Sequence, residues 1–109
     1  MFKITPDPTF KAEVQIPLPG GGFAPLALEF KALGRKALRK WIDSASAERD
    51  DAQYLGEVVV GWSGVGDANG SPLPFSIDAL AQVLDGYWMA SKAIFDGYLV
   101  ALTPAGEKN

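Results

Sequence analysis

Phe10-Lys11-Ala12-Glu13-Val14-Gln15-Ile16 is the stretch on which the fold depends. Phe10, Ala12, Val14 and Ile16 fall on one side and Lys11, Glu13 and Gln15 on the other, the period of a strand with one wet face. A second alternation runs through Leu26, Leu28, Phe30 and Ala32, with Glu29 and Lys31 between them. The segment joining the two, Pro17 to Pro25, holds three prolines and the glycines Gly20, Gly21 and Gly22, and it predicts a long, glycine-rich hairpin tip. A lone two-stranded ribbon is marginal in water, so its Phe10/Val14/Ile16/Leu28/Phe30 face must lie against helices that follow.

Four helical segments are predicted. Over Arg35 to Ala45, helical spacing gathers Leu38, Trp41, Ile42 and Ala45 on one side and Arg35, Lys36, Arg39 and Lys40 on the other. Asp51 to Trp62 spaces Leu55, Val58, Val59 and Trp62 as a helix would, with Asp50 and Asp51 at its positive end. The β-branched run Val58-Val59-Val60 fits a strand as well. Gly61 to Pro74 reads as an exposed loop. Ser76 occupies an N-cap position before a third helix that reaches Leu84, and Asp85-Gly86 ends that helix with a left-handed glycine. A fourth helix, Trp88 to Leu102, carries the stripe Ala90, Ala93, Ile94, Gly97, Tyr98 and Ala101. Gly97 in its interior costs about 1 kcal/mol relative to alanine, so a neighbouring element is expected to approach closely there. Thr103 to Asn109 reads as a frayed polar tail. The fold class is therefore α+β: one domain, residues 1–109, with an N-terminal antiparallel β-hairpin packed on a bundle of about four α-helices.

Composition narrows the chemistry. The 109 residues include no cysteine and no histidine, which removes disulfides, the usual zinc sites, thiol nucleophiles and imidazole-dependent triads. The net charge is −3, against generic binding to nucleic acid or an anionic membrane. That charge is unevenly spread, eight Lys/Arg against five Asp/Glu in residues 1–49 and two against eight in residues 50–109. The opening, with Pro6 and Pro8, does not read as a secretory signal, and the uncharged run Val14 to Leu28 is too broken by proline and glycine to span a membrane. A cytoplasmic setting is the default expectation.

Residue patterns that could carry chemistry are better explained as structure. Asp67, Asn69, Ser71 and Asp78 sit at positions 1, 3, 5 and 12 of a calcium loop, but position 6 is Pro72 instead of glycine and position 12 lacks the long glutamate. A polar turn before a helix is the preferred reading. The glycines near Gly61 and Gly20 lack the Lys-Ser or Lys-Thr of a phosphate cradle. No catalytic residue, metal or cofactor is assigned. Trp41 and Trp62 fall on predicted buried stripes, whereas Phe23 at the hairpin tip and Trp88 at a helix break are harder to bury and are candidate partner contacts. Arg35, Lys36, Arg39 and Lys40 repeat like charges at i and i+4, a repulsion that an acidic partner would relieve.

Met1 to Ala12 (MFKITPDPTFKA), Val14-Gln15-Ile16-Pro17 with its glycine turn, Val60-Gly61-Trp62, and Lys92 to Leu99 (KAIFDGYL) with Leu102-Thr103 resemble, in order along nearly the whole chain, a family of phage tail assembly chaperones. The sequence departs from that pattern at Trp88, where proline is expected after Tyr87, and in a longer loop from Gly64 to Pro72. The resemblance implies a non-enzymatic protein, in the cytoplasm of the bacterial host and absent from the mature virion. It binds the tape measure protein and keeps it soluble until tail tube subunits polymerise around it. Contact with the tail tube protein, self-association into a homo-oligomer, and a frameshifted longer form arising near Glu107-Lys108-Asn109 belong to the same implied picture. A structural tail component, as tube or connector subunit, is the alternative, followed by a regulator of a host enzyme and, distantly, a hydrolase.

Overall fold

The computed structural model describes residues 1–45 and 49–103. The expected alternation forms β1 (Thr9–Pro17), which pairs antiparallel with β2 (Phe23–Lys31) in unbroken register from Thr9↔Lys31 to Pro17↔Phe23. Both strands are longer than the sequence predicts and the tip is shorter. Only Leu18 to Gly22 turn the chain, with the Leu18 amide donating to the Gly22 carbonyl (3.0 Å) and the Gly21 amide to the Leu18 carbonyl (3.1 Å). Gly20, Gly21 and Gly22 all take positive φ (87°, 114° and 82°), which is what the three consecutive glycines supply.

Pro25 lies inside β2 at no cost to the ladder. The Ala32 amide donates to the Pro8 carbonyl, so even-numbered residues of the two strands exchange bonds and odd-numbered ones point outward. The nitrogen of Pro25 therefore faces away from β1, on a side where no third strand has yet begun.

A third strand, β3 (Val59–Ser63), pairs antiparallel with β2 and corrects the predicted second helix. That helix, α2, spans only Asp51–Leu55, capped by the Asp50 carboxylate on the Gln53 amide (3.3 Å). The hairpin is thus two-thirds of a three-stranded sheet, ordered β1-β2-β3. β3 carries a bulge: Phe30 opposes Val59 and Glu29 opposes Gly61, which leaves Val60 unpaired. Trp62 sits half-buried in β3 and not on a helical stripe. Its indole N–H donates to the Leu73 carbonyl (2.8 Å), and its ring meets Phe75 edge-on at 5.1 Å.

The other helices are α1 (Arg35–Asp43), α3 (Ile77–Gly86) and α4 (Ala90–Ala101). Ser76 caps α3 through the Ala79 amide (3.0 Å), as its position predicts. Gly86 closes α3 without a left-handed turn, since its φ is not positive and the chain leaves the helix extended at Tyr87. The fourth helix starts at Ala90 rather than Trp88, which lies in the turn between α3 and α4. Glu107-Lys108-Asn109, where a frameshifted form is expected to arise, lie outside the described residues.

One face of the sheet, with Val14, Ile16, Leu26, Leu28 and Phe30, packs on Leu55, Leu80, Ile94 and Tyr98 from the helices. α4 lies directly over β1. A Cβ added at Gly97 would stand 2.9 Å from Val14 Cγ2, which is the close approach expected at that glycine. Tyr98 is fully buried against Phe30 (4.9 Å between ring centroids) and donates its phenol proton to the Lys31 carbonyl (2.8 Å).

α1 is held differently from the other helices. Trp41 is its one buried residue. Its ring stacks on Tyr54 (4.4 Å, 3° between planes), lies 5.5 Å from Phe95 and meets Tyr98 edge-on at 5.5 Å. Two reciprocal hydrogen bonds fix the pair, from the Trp41 indole to the Tyr54 carbonyl (3.1 Å) and from the Tyr54 phenol to the Trp41 carbonyl (2.8 Å). The four-helix bundle of the sequence reading is thus a helical layer in which α1 is attached through the Trp41 aromatic anchor, with half-buried Leu38 packed beside the core.

Candidate functional site

The candidate contact residues separate into two patches. Arg35, Lys36, Arg39 and Lys40 are all exposed on α1, and among the described residues none pairs with a carboxylate within 4.0 Å. The helix has no acidic residue in its first turn, where one would interact best with the helix dipole, and a single basic residue, Lys40, in its last turn. Local helix energetics thus do not account for four cations on one short helix. Arg49, a fifth cation nearby, is already engaged: it pairs with Glu57 and stands 5.2 Å over the Tyr54 ring.

The second patch lies at the hairpin-tip end. Phe23 is 65% exposed and Trp88 88% exposed, and the fold brings their chain neighbours together. Ala24 and Tyr87 line one open groove with Ile16, Leu18, Pro25, Val65 and Val83, a trough of about 230 Å³. Sequence reasoning placed Phe23 and Trp88 at unrelated loops. It also missed Tyr87, 38% exposed beside Trp88, and the exposed residues Phe2 and Ile4 at the opposite end of the sheet. The signal for the last two is Pro6 and Pro8, which lack ladder donors of their own and disfavour helix in the residues just before them.

The polar residues that resembled a calcium loop form a turn. Asp67 Oδ1 accepts from the amides of Asn69 (2.9 Å) and Ser71 (3.0 Å), while the Asp67 amide donates to the Ser71 carbonyl (2.8 Å). Gly70 supplies the positive φ of 83° that the turn needs. The carboxylate is thus spent on organising its own loop. Among the described residues no cluster of three His, Cys, Asp or Glu side chains is placed to hold a metal ion. The shifted titrations belong to structural phenols. Burial pushes the Tyr54 hydroxyl up, partly offset by Arg49, and burial likewise pushes up that of Tyr98, partly offset by the Leu33 backbone.

Open troughs, exposed cations and exposed aromatics are features of a surface that contacts another macromolecule. Among family models, the one described as phage tail assembly chaperone matches residues 1–109. The chain belongs to the phage tail assembly chaperone family. Comparison with curated proteins and with solved structures gives no match. Trp88, where the resemblance led to an expectation of proline, is the most exposed aromatic after Phe2 among the described residues. The loop from Gly64 to Pro72 supplies Val65 to the groove that Trp88 flanks. No helix among the described residues is long and apolar enough to cross a membrane.

Proposed function

We propose that this chaperone binds the tape measure protein of its phage and keeps it soluble until tail tube subunits polymerise around it. The observation that carries the reading is the family match over all 109 residues. A tape measure protein exposes long amphipathic surface, and masking such a surface calls for many weak contacts repeated over several bound copies, with avidity supplying the strength. The surface suits that demand. The four cations of α1 offer attraction to acidic segments of a client, and Phe23 and Trp88 offer apolar contact at the other patch. On this reading no bond is made or broken, the protein acts in the cytoplasm of the infected bacterium, and it is absent from finished particles.

Co-expression with the tape measure protein of the same phage tests the reading. The client is expected in the soluble fraction with the chaperone and in the pellet without it. Replacing Arg35, Lys36, Arg39 and Lys40 together by glutamine is expected to weaken binding and flatten its dependence on salt. A client that stays dispersed equally well alone, or stoichiometric amounts of this chain in purified particles, overturns the proposal.

A further inference from the structure

Residues 1–8 form an arm that packs on nothing. All eight are exposed, and the arm's base is tied to the body where the Pro8 carbonyl accepts from Ala32. Its first four residues include Met1, Phe2 and Ile4, each more than 90% exposed. Single exposed apolar residues are ordinary, but three within four residues on one unpaired segment mark a contact surface.

The groove described above lies at the far end of the same sheet. β1 rises about 3.3 Å per residue, which puts Ile16 about 26 Å and the level of Leu26 about 20 Å beyond Pro8. Ile4, four residues before Pro8, reaches about 14 Å from it when fully extended, and Phe2 about 21 Å. The arm is therefore too short to seat both side chains in the groove of its own molecule.

Charge points to the same pairing. No Lys or Arg occurs in residues 12–30 or 50–91, the two stretches that build the groove, while Asp85 stands exposed two residues before its lining residue Tyr87. Residues 1–6 carry one cation, Lys3, and no anion. Lys3 pairs with Asp7, but both side chains are mostly exposed, and such a pair contributes too little to hold Lys3 back from another carboxylate.

We propose that the Met1–Thr5 arm of one copy docks in the groove at the hairpin-tip end of a second copy, with Phe2 and Ile4 against Leu18, Val65 and Tyr87 and with Lys3 facing Asp85. The contact joins two different surfaces, so it closes either as an antiparallel pair with both arms exchanged or as a head-to-tail ring or row. It stands apart from the client-binding reading and needs no client to be present.

The test is sedimentation velocity of the purified full chain over a concentration series. Wild-type mass is expected to rise with concentration. Phe2→Ser with Ile4→Ser in one variant, and Tyr87→Lys in another, are each expected to weaken association about tenfold or more, the loss typical of removing an anchor. Far-UV circular dichroism checks that both remain folded, which the exposure of all three side chains favours. Mixing the two variants supplies the decisive arm. Each retains the half that the other lacks, so a one-to-one complex is expected where neither variant self-associates. Because the chain has no cysteine, Ile4→Cys mixed with Tyr87→Cys is expected to give a disulfide-linked heterodimer, and Ile4→Cys mixed with Arg39→Cys much less. A wild-type chain that stays monomeric throughout, association untouched by the arm variant, a mixture that remains monomeric, or an arm required only in the presence of a client would each overturn the proposal.

Discussion

Replacing Gly97 with alanine sets two effects of known size against each other. Alanine favours a helix interior by about 1 kcal/mol over glycine. The added methyl, however, would stand 2.9 Å from Val14 Cγ2 and 3.3 Å from Val14 Cγ1. Val14 is 4% exposed, and its β-branched side chain is stiff at χ1, so it has little freedom to turn away. Overpacking of this kind costs about 1–3 kcal/mol. Gly97→Ala is therefore expected to destabilise the chain by about 1 kcal/mol net, a fall in Tm of about 4 °C. Val14→Ala alone is expected to cost about 2 kcal/mol, since it empties part of the core. In that background the clash is gone, and Gly97→Ala should stabilise by about the full helix-propensity gain. The same substitution thus changes sign between backgrounds, with a coupling energy of about 2 kcal/mol in a double-mutant cycle read by urea denaturation. If Gly97→Ala stabilises the otherwise wild-type chain, or has equal effects in both backgrounds, the close approach of α4 to β1 does not govern this position.

Further outcomes follow from the same packing. Trp41→Ala is expected to cost about 3–5 kcal/mol and to free α1, read as faster tryptic cleavage after Arg35, Lys36, Arg39 or Lys40; loss of stability with those sites still protected would mean that another contact holds the helix. Ser76→Ala removes the α3 cap and is expected to cost about 1 kcal/mol, and Ser76→Asp should restore most of it. Tyr54 and Tyr98 ionise less readily in the folded chain than in the unfolded one, so above the ordinary tyrosine value the native state holds more protons. Their contribution is complete below about pH 10 and declines as pH rises through the raised values, so denaturation midpoints should fall on that side and Tyr98→Phe should flatten the fall.

The hairpin was legible because its alternation is uninterrupted from Phe10 to Ile16. Its length was not, since only the paired register reveals that the Pro25 nitrogen faces a side with no strand to bond. The misreading of β3 has a sharper cause. The bulge at Val60 places one extra residue between two core-facing positions, so Val59 and Trp62 are three apart, a helical interval, where a regular strand would space them by two. With Leu55 and Val58 also buried, the run reproduces a helix stripe. Gly97 was readable because a costly residue in a helix needs a reason, and Val14 provides it. Of the contact surface, the exposure of Phe23, Trp88 and the α1 cations was visible residue by residue. Their division into two patches was not, because it depends on the turn between α3 and α4 meeting the hairpin tip.

The three tryptophans occupy three different settings: Trp41 wedged among rings, Trp62 bonded at the flank of the sheet, and Trp88 almost wholly in water. Intrinsic fluorescence consequently carries positional information without any attached dye. A partner landing beside the hairpin tip would blue-shift and protect the Trp88 emission from soluble quenchers while leaving Trp41 unchanged. Melting of the aromatic anchor would do the reverse, so docking and unfolding have separate optical signatures within one unlabelled chain.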